Sequence, residues 1–153
     1  MRSRLQTALL IGLFVTVCAS FFSFESDCRE IRKNVLRLHI LANSDSAADQ
    51  ALKLRVRDRL LAESGGLFDN AITERQAAEK ARQALPALLA QAESEIAACG
   101  YSYPVRVSVG NAYFGTRKYD TFTLPAGEYE AVKVVIGEGK GQNWWCVMFP
   151  AMC

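Results

Sequence analysis

The sequence predicts an α+β fold: an N-terminal strand, two helices with the second kinked at Pro86, then three or four mostly antiparallel strands. These strands form one sheet that the helices cover. Three observations lead there. Apolar residues alternate over Asn34–Ala42 (NVLRLHILA), recur at helical spacing between Ala47 and Ile96, and alternate again from Tyr103 onward. Helices grouped between strands belong to layered folds with the helices on one face of the sheet. A chain of 153 residues, 50% hydrophobic, is enough for one core and one domain.

A different segment precedes that domain. Arg2 and Arg4 are followed by ALLIGLFVTVCASFFSF, Ala8 to Phe24, which carries no charge. A basic start and an uncharged run form the pattern of a secretory signal or a membrane anchor. Its seventeen residues stand at the lower edge of bilayer-spanning length. Val17-Cys18-Ala19 admits cleavage after Ala19, and Val17 is too large for a lipoprotein signal. The reading is therefore a signal peptide or N-terminal anchor over residues 1–24 and a single domain over 29–153. With Arg2 and Arg4 set aside, basic and acidic residues are equal in number, so global charge gives no reason to expect a nucleic-acid partner.

The elements of the domain follow in order. In NVLRLHILA, Leu36, Leu38 and Ile40 point one way and Arg37 and His39 the other, a half-buried strand with His39 on its polar face. Asn43-Ser44-Asp45-Ser46 makes a strand-to-helix corner, with Ser46 as N-cap and Asp49 three residues later. The first helix runs from about Ala47 to Glu63 on an apolar face of Ala48, Leu52, Val56 and Leu60, and Gly65-Gly66 closes it. Lys53, Arg55, Arg57 and Arg59 make this helix basic, the usual composition of a solvated face.

Thr73 and Gln76 mark the next helix start. Its stripe runs through Ala77, Ala81, Leu85, Leu88, Ala92 and Ile96, with Pro86 inside it, which predicts a kink or two abutting helices, and Gly100 ends it. Strands follow at Val105–Val109, at Thr121–Leu124, at Glu128–Ile136 after the turn Pro125-Ala126-Gly127, and at Asn143–Phe149.

Most chemistry is excluded by what the residues lack. GEGKG (Gly137–Gly141) has no Ser or Thr after its lysine and no helix after it, so it reads as a hairpin connection and not as a phosphate loop. One histidine and no C-x-x-C leave no zinc set, and no cofactor is expected. A thiol nucleophile at Cys146 would need a base, and His39 is the sole histidine. Two neighbouring tryptophans would oppose thiolate formation by desolvation. Glu128 and Glu130 share a strand face, a weak acid/base signal. Outside the cytosol, Cys28, Cys99, Cys146 and Cys153 permit three pairings. A Cys146–Cys153 staple turned by Pro150 would contribute about 2–3 kcal/mol, leaving Cys28 and Cys99 as the second pair. Trp144 and Trp145 must point to opposite faces of their strand, so one can face a partner while the other is core.

LRLHILANSDSAADQALKLRVRD and YFGTRKYDTFTLPAGEYEAVKVVIGEGKGQNWWCVMFPAMC together resemble the stage II sporulation protein R family of endospore-forming bacteria, over Val35 to Cys153. The specific blocks are Ala42–Asp45, Asp49-Gln50, Lys53, Arg57-Asp58, Leu124–Glu130 and Asn143–Val147. Members of that family continue past the position of Cys153. The resemblance implies a signalling protein made in the forespore and exported to the space between the two sporulating cells. There it triggers a membrane-embedded aspartic protease of the mother cell, which removes the pro-sequence of the early mother-cell sigma factor. It implies no catalytic residues. Asn43, Asp45, Lys53, Arg57, Glu128, Trp144 and Trp145 become candidates for receptor binding. The Asn43–Asp45 corner and the Gly137–Trp145 loop are the expected contact region. An exported thiol enzyme or cell-wall hydrolase in the intermembrane space is the competing class.

Overall fold

The computed structural model describes residues 2–119 and 122–152. In chain order it contains α1 (Arg2–Lys33), β1 (Leu36–Leu41), α2 (Ala47–Glu63) with a 3-10 turn at Ser64–Gly66, α3 (Glu74–Gln83), α4 (Leu85–Ala98), β2 (Val105–Phe114), β3 (Arg117–Lys118), β4 (Thr123–Leu124), β5 (Gly127–Ile136) and β6 (Asn143–Phe149). The α+β class holds, with a four-stranded sheet in the order β2-β5-β1-β6 and a small β3–β4 ribbon. The sheet is mixed: β5 pairs antiparallel with β2 and parallel with β1, and β1 pairs antiparallel with β6.

Two features of the expected order do not appear in that form. The chain opens with a helix and not with a strand; β1 follows it. Pro86 does not kink one long helix. The helix breaks at Ala84, and Pro86 lies in the first turn of α4, where the missing N–H would have had no helical partner. Of the expected strand Thr121–Leu124, Thr121 lies outside the described residues.

Local signals set the other helix ends. The Ser46 hydroxyl accepts the Asp49 N–H at 3.1 Å, which satisfies one of the free amides of the α2 start. Thr73 and Gln76 form a reciprocal capping box at α3. α1 runs without interruption through the uncharged segment; it is long and apolar enough to cross a membrane, and its best apolar window has no buried share. Its last turns behave differently. Cys28 is buried, Arg32 Nη1 donates to the Ala126 carbonyl at 3.2 Å, and this end of α1 packs on β5.

The sheet separates two cores. On one face α2, α3 and α4 cover Leu36, Leu38 and Ile40 of β1, Val132, Val134 and Ile136 of β5, and Cys146 and Met148 of β6. Ala77, Ala81 and Ala92 are fully buried there, their small side chains letting the helices approach closely. Lys53 is buried as well, at 4% exposure, so the basic stripe of α2 is not wholly a solvated face. On the other face Val35, Phe114, Leu124, Tyr129, Ala131 and Val147 form a second cluster with Tyr119, Phe122 and Trp145 against it. The second face of β1 is enclosed at Arg37, contrary to its reading as a half-buried strand, while His39 and Leu41 stay half-buried. Arg37 is wholly buried.

Candidate functional site

The β1–α2 corner and the β5–β6 loop are joined by a hydrogen-bond network built from the sequence-specific blocks. Asn43 Oδ1 accepts the Glu138 N–H at 3.0 Å, and Asp45 Oδ1 accepts the Gln142 N–H at 2.7 Å. The backbone adds Lys140 N–H to the Asn43 carbonyl (3.2 Å) and Gly141 N–H to the Ala42 carbonyl (3.0 Å). Beneath these, the Asp49 carboxylate accepts from the Asn43 amide (2.9 Å) and the Ser44 hydroxyl (2.5 Å). Those two donors, the Ser44 hydroxyl first, hold the Asp49 carboxyl below its ordinary range. Lys53 Nζ reaches from α2 to Gln50 Oε1 (2.6 Å) and to the Gln142 carbonyl (2.9 Å), and Gln50 donates to the Ser44 carbonyl (2.9 Å). Burial pushes the Lys53 ammonium pKa down, and the Asp45 charge opposes that.

This network gives GEGKG its reason. Gly137 and Gly139 have φ of +57° and +66°, a region where other side chains are strained. Any Cβ at Gly141 would run into the Ser44 carbonyl, and one at Gly137 into the Asn43 side chain. The loop lies flat on the corner, with glycines where the backbone comes closest. Lys140 pairs with Glu138 at 2.6 Å at the surface.

The seven candidates divide by place. Asn43, Asp45 and Lys53 belong to the network. Trp144, next along β6, lies on the helix-covered face with the Arg57 guanidinium 4.3 Å above its ring, and Arg57 also pairs with Asp58 at 2.6 Å. Trp145 lies on the opposite face, with the Arg117 guanidinium 4.1 Å above its ring. His39 and Phe114 meet the Trp145 ring edge-on at 5.9 and 5.7 Å. Both indoles are half-buried. Glu128 is apart from all of these, exposed at the start of β5 beside Arg29, Arg32 and Lys33 of α1. Sequence reasoning passed over Gln50 and Gln142 as network members and Arg117 as the cover of Trp145; only their long-range partners reveal them.

No reacting couple is assembled from Cys146 and His39. His39 is the register partner of Trp145, so it shares that residue's face, while Cys146 belongs to the helix-side core. Cys146 is disulfide-bonded, and its expected partner Cys153 lies outside the described residues. Cys28 and Cys99 are free thiols, which corrects their expected pairing. Cys28 stands near Tyr129 on the second face, whereas Cys99 packs against the helix-side core, with the sheet between them. Burial lowers the His39 pKa, and the nearby Lys133 and Arg37 charges lower it further. Among the described residues no group of His, Cys, Asp and Glu could hold a metal ion.

Arg37 is the least expected residue of this region. Its guanidinium lies 4.0 Å from the Phe114 ring centroid and 5.0 Å from that of Tyr129. Nη2 donates to the Tyr119 hydroxyl at 2.9 Å, while Nε and Nη1 have no hydrogen-bond partner among the described residues. Burial lowers its pKa, and Tyr119 opposes that.

Comparison with known proteins places these features in a family. The family model described as stage II sporulation protein R matches residues 32–153. The stage II sporulation protein R of Bacillus subtilis (strain 168) is 37% identical over 123 residues, which cover 80% of this chain and 55% of the relative. The chain thus spans little more than half the length of that curated relative. No solved structure matches the chain.

Proposed function

We propose that this chain, which belongs to the stage II sporulation protein R family, is an exported sporulation signal that acts by binding rather than by catalysis. In this reading it leaves the forespore through its apolar α1 segment and reaches the space between the two cells, either secreted or held in the membrane by α1. There it engages a membrane-embedded aspartic protease of the mother cell, and the pro-form of the early mother-cell sigma factor is processed. The observation that carries the reading is the family match over residues 32–153. Two structural facts support it. α1 is apolar and exposed along its length before it docks on the domain, as an export or anchoring segment must be. Asn43, Asp45, Asp49 and Lys53 of the specific blocks are engaged in shaping a corner and a loop.

The test is co-expression of this chain, the protease and the pro-sigma substrate in a host that does not sporulate. Processing that requires all three supports the reading. Processing independent of this chain, or absent with all three present and folded, overturns it. A cell-wall hydrolase or thiol enzyme instead predicts that a folded, exported His39→Ala variant is inactive.

A further inference from the structure

Half of the second face of the sheet is only partly covered by the described residues. The strand register defines the rows that cross it. One row runs Gly110, Ala131, Arg37, Val147, and there the arginine and its aromatic neighbours are enclosed. The next row runs Ser108, Lys133, His39, Trp145, and the one after it Arg106, Val135, Leu41, Asn143. In these two rows Arg106, Ser108, Lys133 and Asn143 are exposed, while Leu41, Val135, His39 and Trp145 are half-buried. Half-buried Leu41 and Val135 thus lie between an aromatic side chain and a polar, cationic margin.

The charge of this face is one-sided. Neither row contains an acidic residue. Arg106, Lys133 and Arg117, the last lying over Trp145, enter no ion pair among the described residues. The carboxylate of the adjoining loop, Glu138, is already held by Lys140. Burial is the main cause that lowers the His39 pKa, Asn143 opposes it, and the cations Lys133 and Arg37 add to the lowering.

We propose that this partly open half-face is the docking surface for an acidic segment of a partner protein, with Trp145 as its apolar anchor and Arg106, Lys133 and Arg117 as its charge clamp. The inference rests on the signalling reading above and names the surface by which the receptor is met. An apolar, aromatic centre with a cationic rim is the anatomy of a protein interface, and unpaired cations around it select an anionic partner and speed its approach. A lipid surface fits less well, because three cations give only weak adhesion to an anionic membrane, and the aromatic anchor is half-buried within the sheet.

The test uses the full chain in mild detergent with a synthetic peptide of alternating glutamate and leucine, read by the fluorescence of Trp145 in a Trp144→Phe background. Salt-sensitive binding is expected, weakened about tenfold by Arg106→Glu or Lys133→Glu and retained by Lys133→Arg and by the remote Arg29→Glu. The same reversals should lower pro-sigma processing in the co-expression assay while their melting curves stay unchanged. Absence of peptide binding, or binding indifferent to the reversals, overturns the proposal. Weakened peptide binding with normal processing also overturns it, since the receptor then lies elsewhere. Reversals that act on phosphatidylglycerol vesicles and not on the peptide make this a lipid surface and overturn it too. Salt-sensitive peptide binding by a chain that triggers no processing sinks the signalling reading but leaves the surface standing.

Discussion

On the helix-covered face of the sheet the buried side chains are largely aliphatic, with Val105, Val134 and Leu38 among them; on the other face a wholly buried arginine sits among aromatic rings and half the surface is only partly covered by the described residues. The first face has the composition of a core that only has to be stable. A dry aliphatic layer under three helices gains from every methylene it buries. The second face gives up part of that gain. Its covered half desolvates a guanidinium with two nitrogens unpartnered among the described residues, and its open half leaves Leu41 and Val135 partly in water. Under the proposed docking, the two faces divide stability from recognition within one sheet.

The largest effect that would test this division is on the helix-covered face. Leu38→Ala removes a fully buried side chain at the centre of β1 and should cost about 2–5 kcal/mol in urea unfolding. A loss near zero would mean the helix face is not the main core. Next comes the corner network. Asp49→Ala strands the Ser44 and Asn43 donors and should cost about 1–3 kcal/mol, with faster amide exchange at Glu138 and Gln142. Unchanged exchange at both amides would show that the loop is held by its glycines alone.

The third test has the opposite sign. Arg37→Met replaces a desolvated cation by an apolar chain of similar reach, and stability should rise by about 1 kcal/mol. A fall of that size would show that stacking on Phe114 and Tyr129 outweighs the burial cost. The smallest effect depends on pH. The His39 pKa is lowered in the fold, so the unfolded chain takes up its proton first as pH falls through about 6.5. Stability should therefore decline with acidification below that point, and His39→Asn should flatten the decline. Asp49, whose pKa is also lowered, adds a further loss only at more acid pH, as protons bind the unfolded carboxylate first. A pH profile identical in the His39→Asn variant would place the burial cost elsewhere.

Features decided within a few residues were legible in the sequence. Ser46 and Thr73 cap their helices as read, α2 runs from Ala47 to Glu63, and Trp144 and Trp145 take opposite faces. Features decided by distant chain were not. The alternation in β1 says that its two faces differ, but what covers the second one comes from α1, β3 and β4. Arg37 therefore reads as solvent-facing and is buried. Lys53 reads as part of an exposed basic stripe, because its acceptor, the Gln142 carbonyl, is 89 residues away. Pro86 marks a break correctly, but sequence spacing alone does not separate a kink from a fresh start. Of the expected contact region, the corner and the loop do meet, while Glu128 stands at the far end of β5. Lys133 and Arg106 carry no motif and acquire meaning only through the register that sets them in rows beside Trp145.

The parallel pairing of β1 with β5 also bears on when the domain exists. β1 is formed from residues 36–41, yet both of its partners, β5 and β6, come from residues 127–149. Roughly ninety residues must emerge before the central strand meets its first neighbour, and loop closure over that length precedes any gain from pairing. A chain moving through a membrane in extended form would keep its first strand unpartnered until almost the whole domain had crossed. Assembly of the sheet would then itself mark completed passage, since neither the corner-to-loop bonds nor the row through Trp145 forms before residues 138–149 arrive.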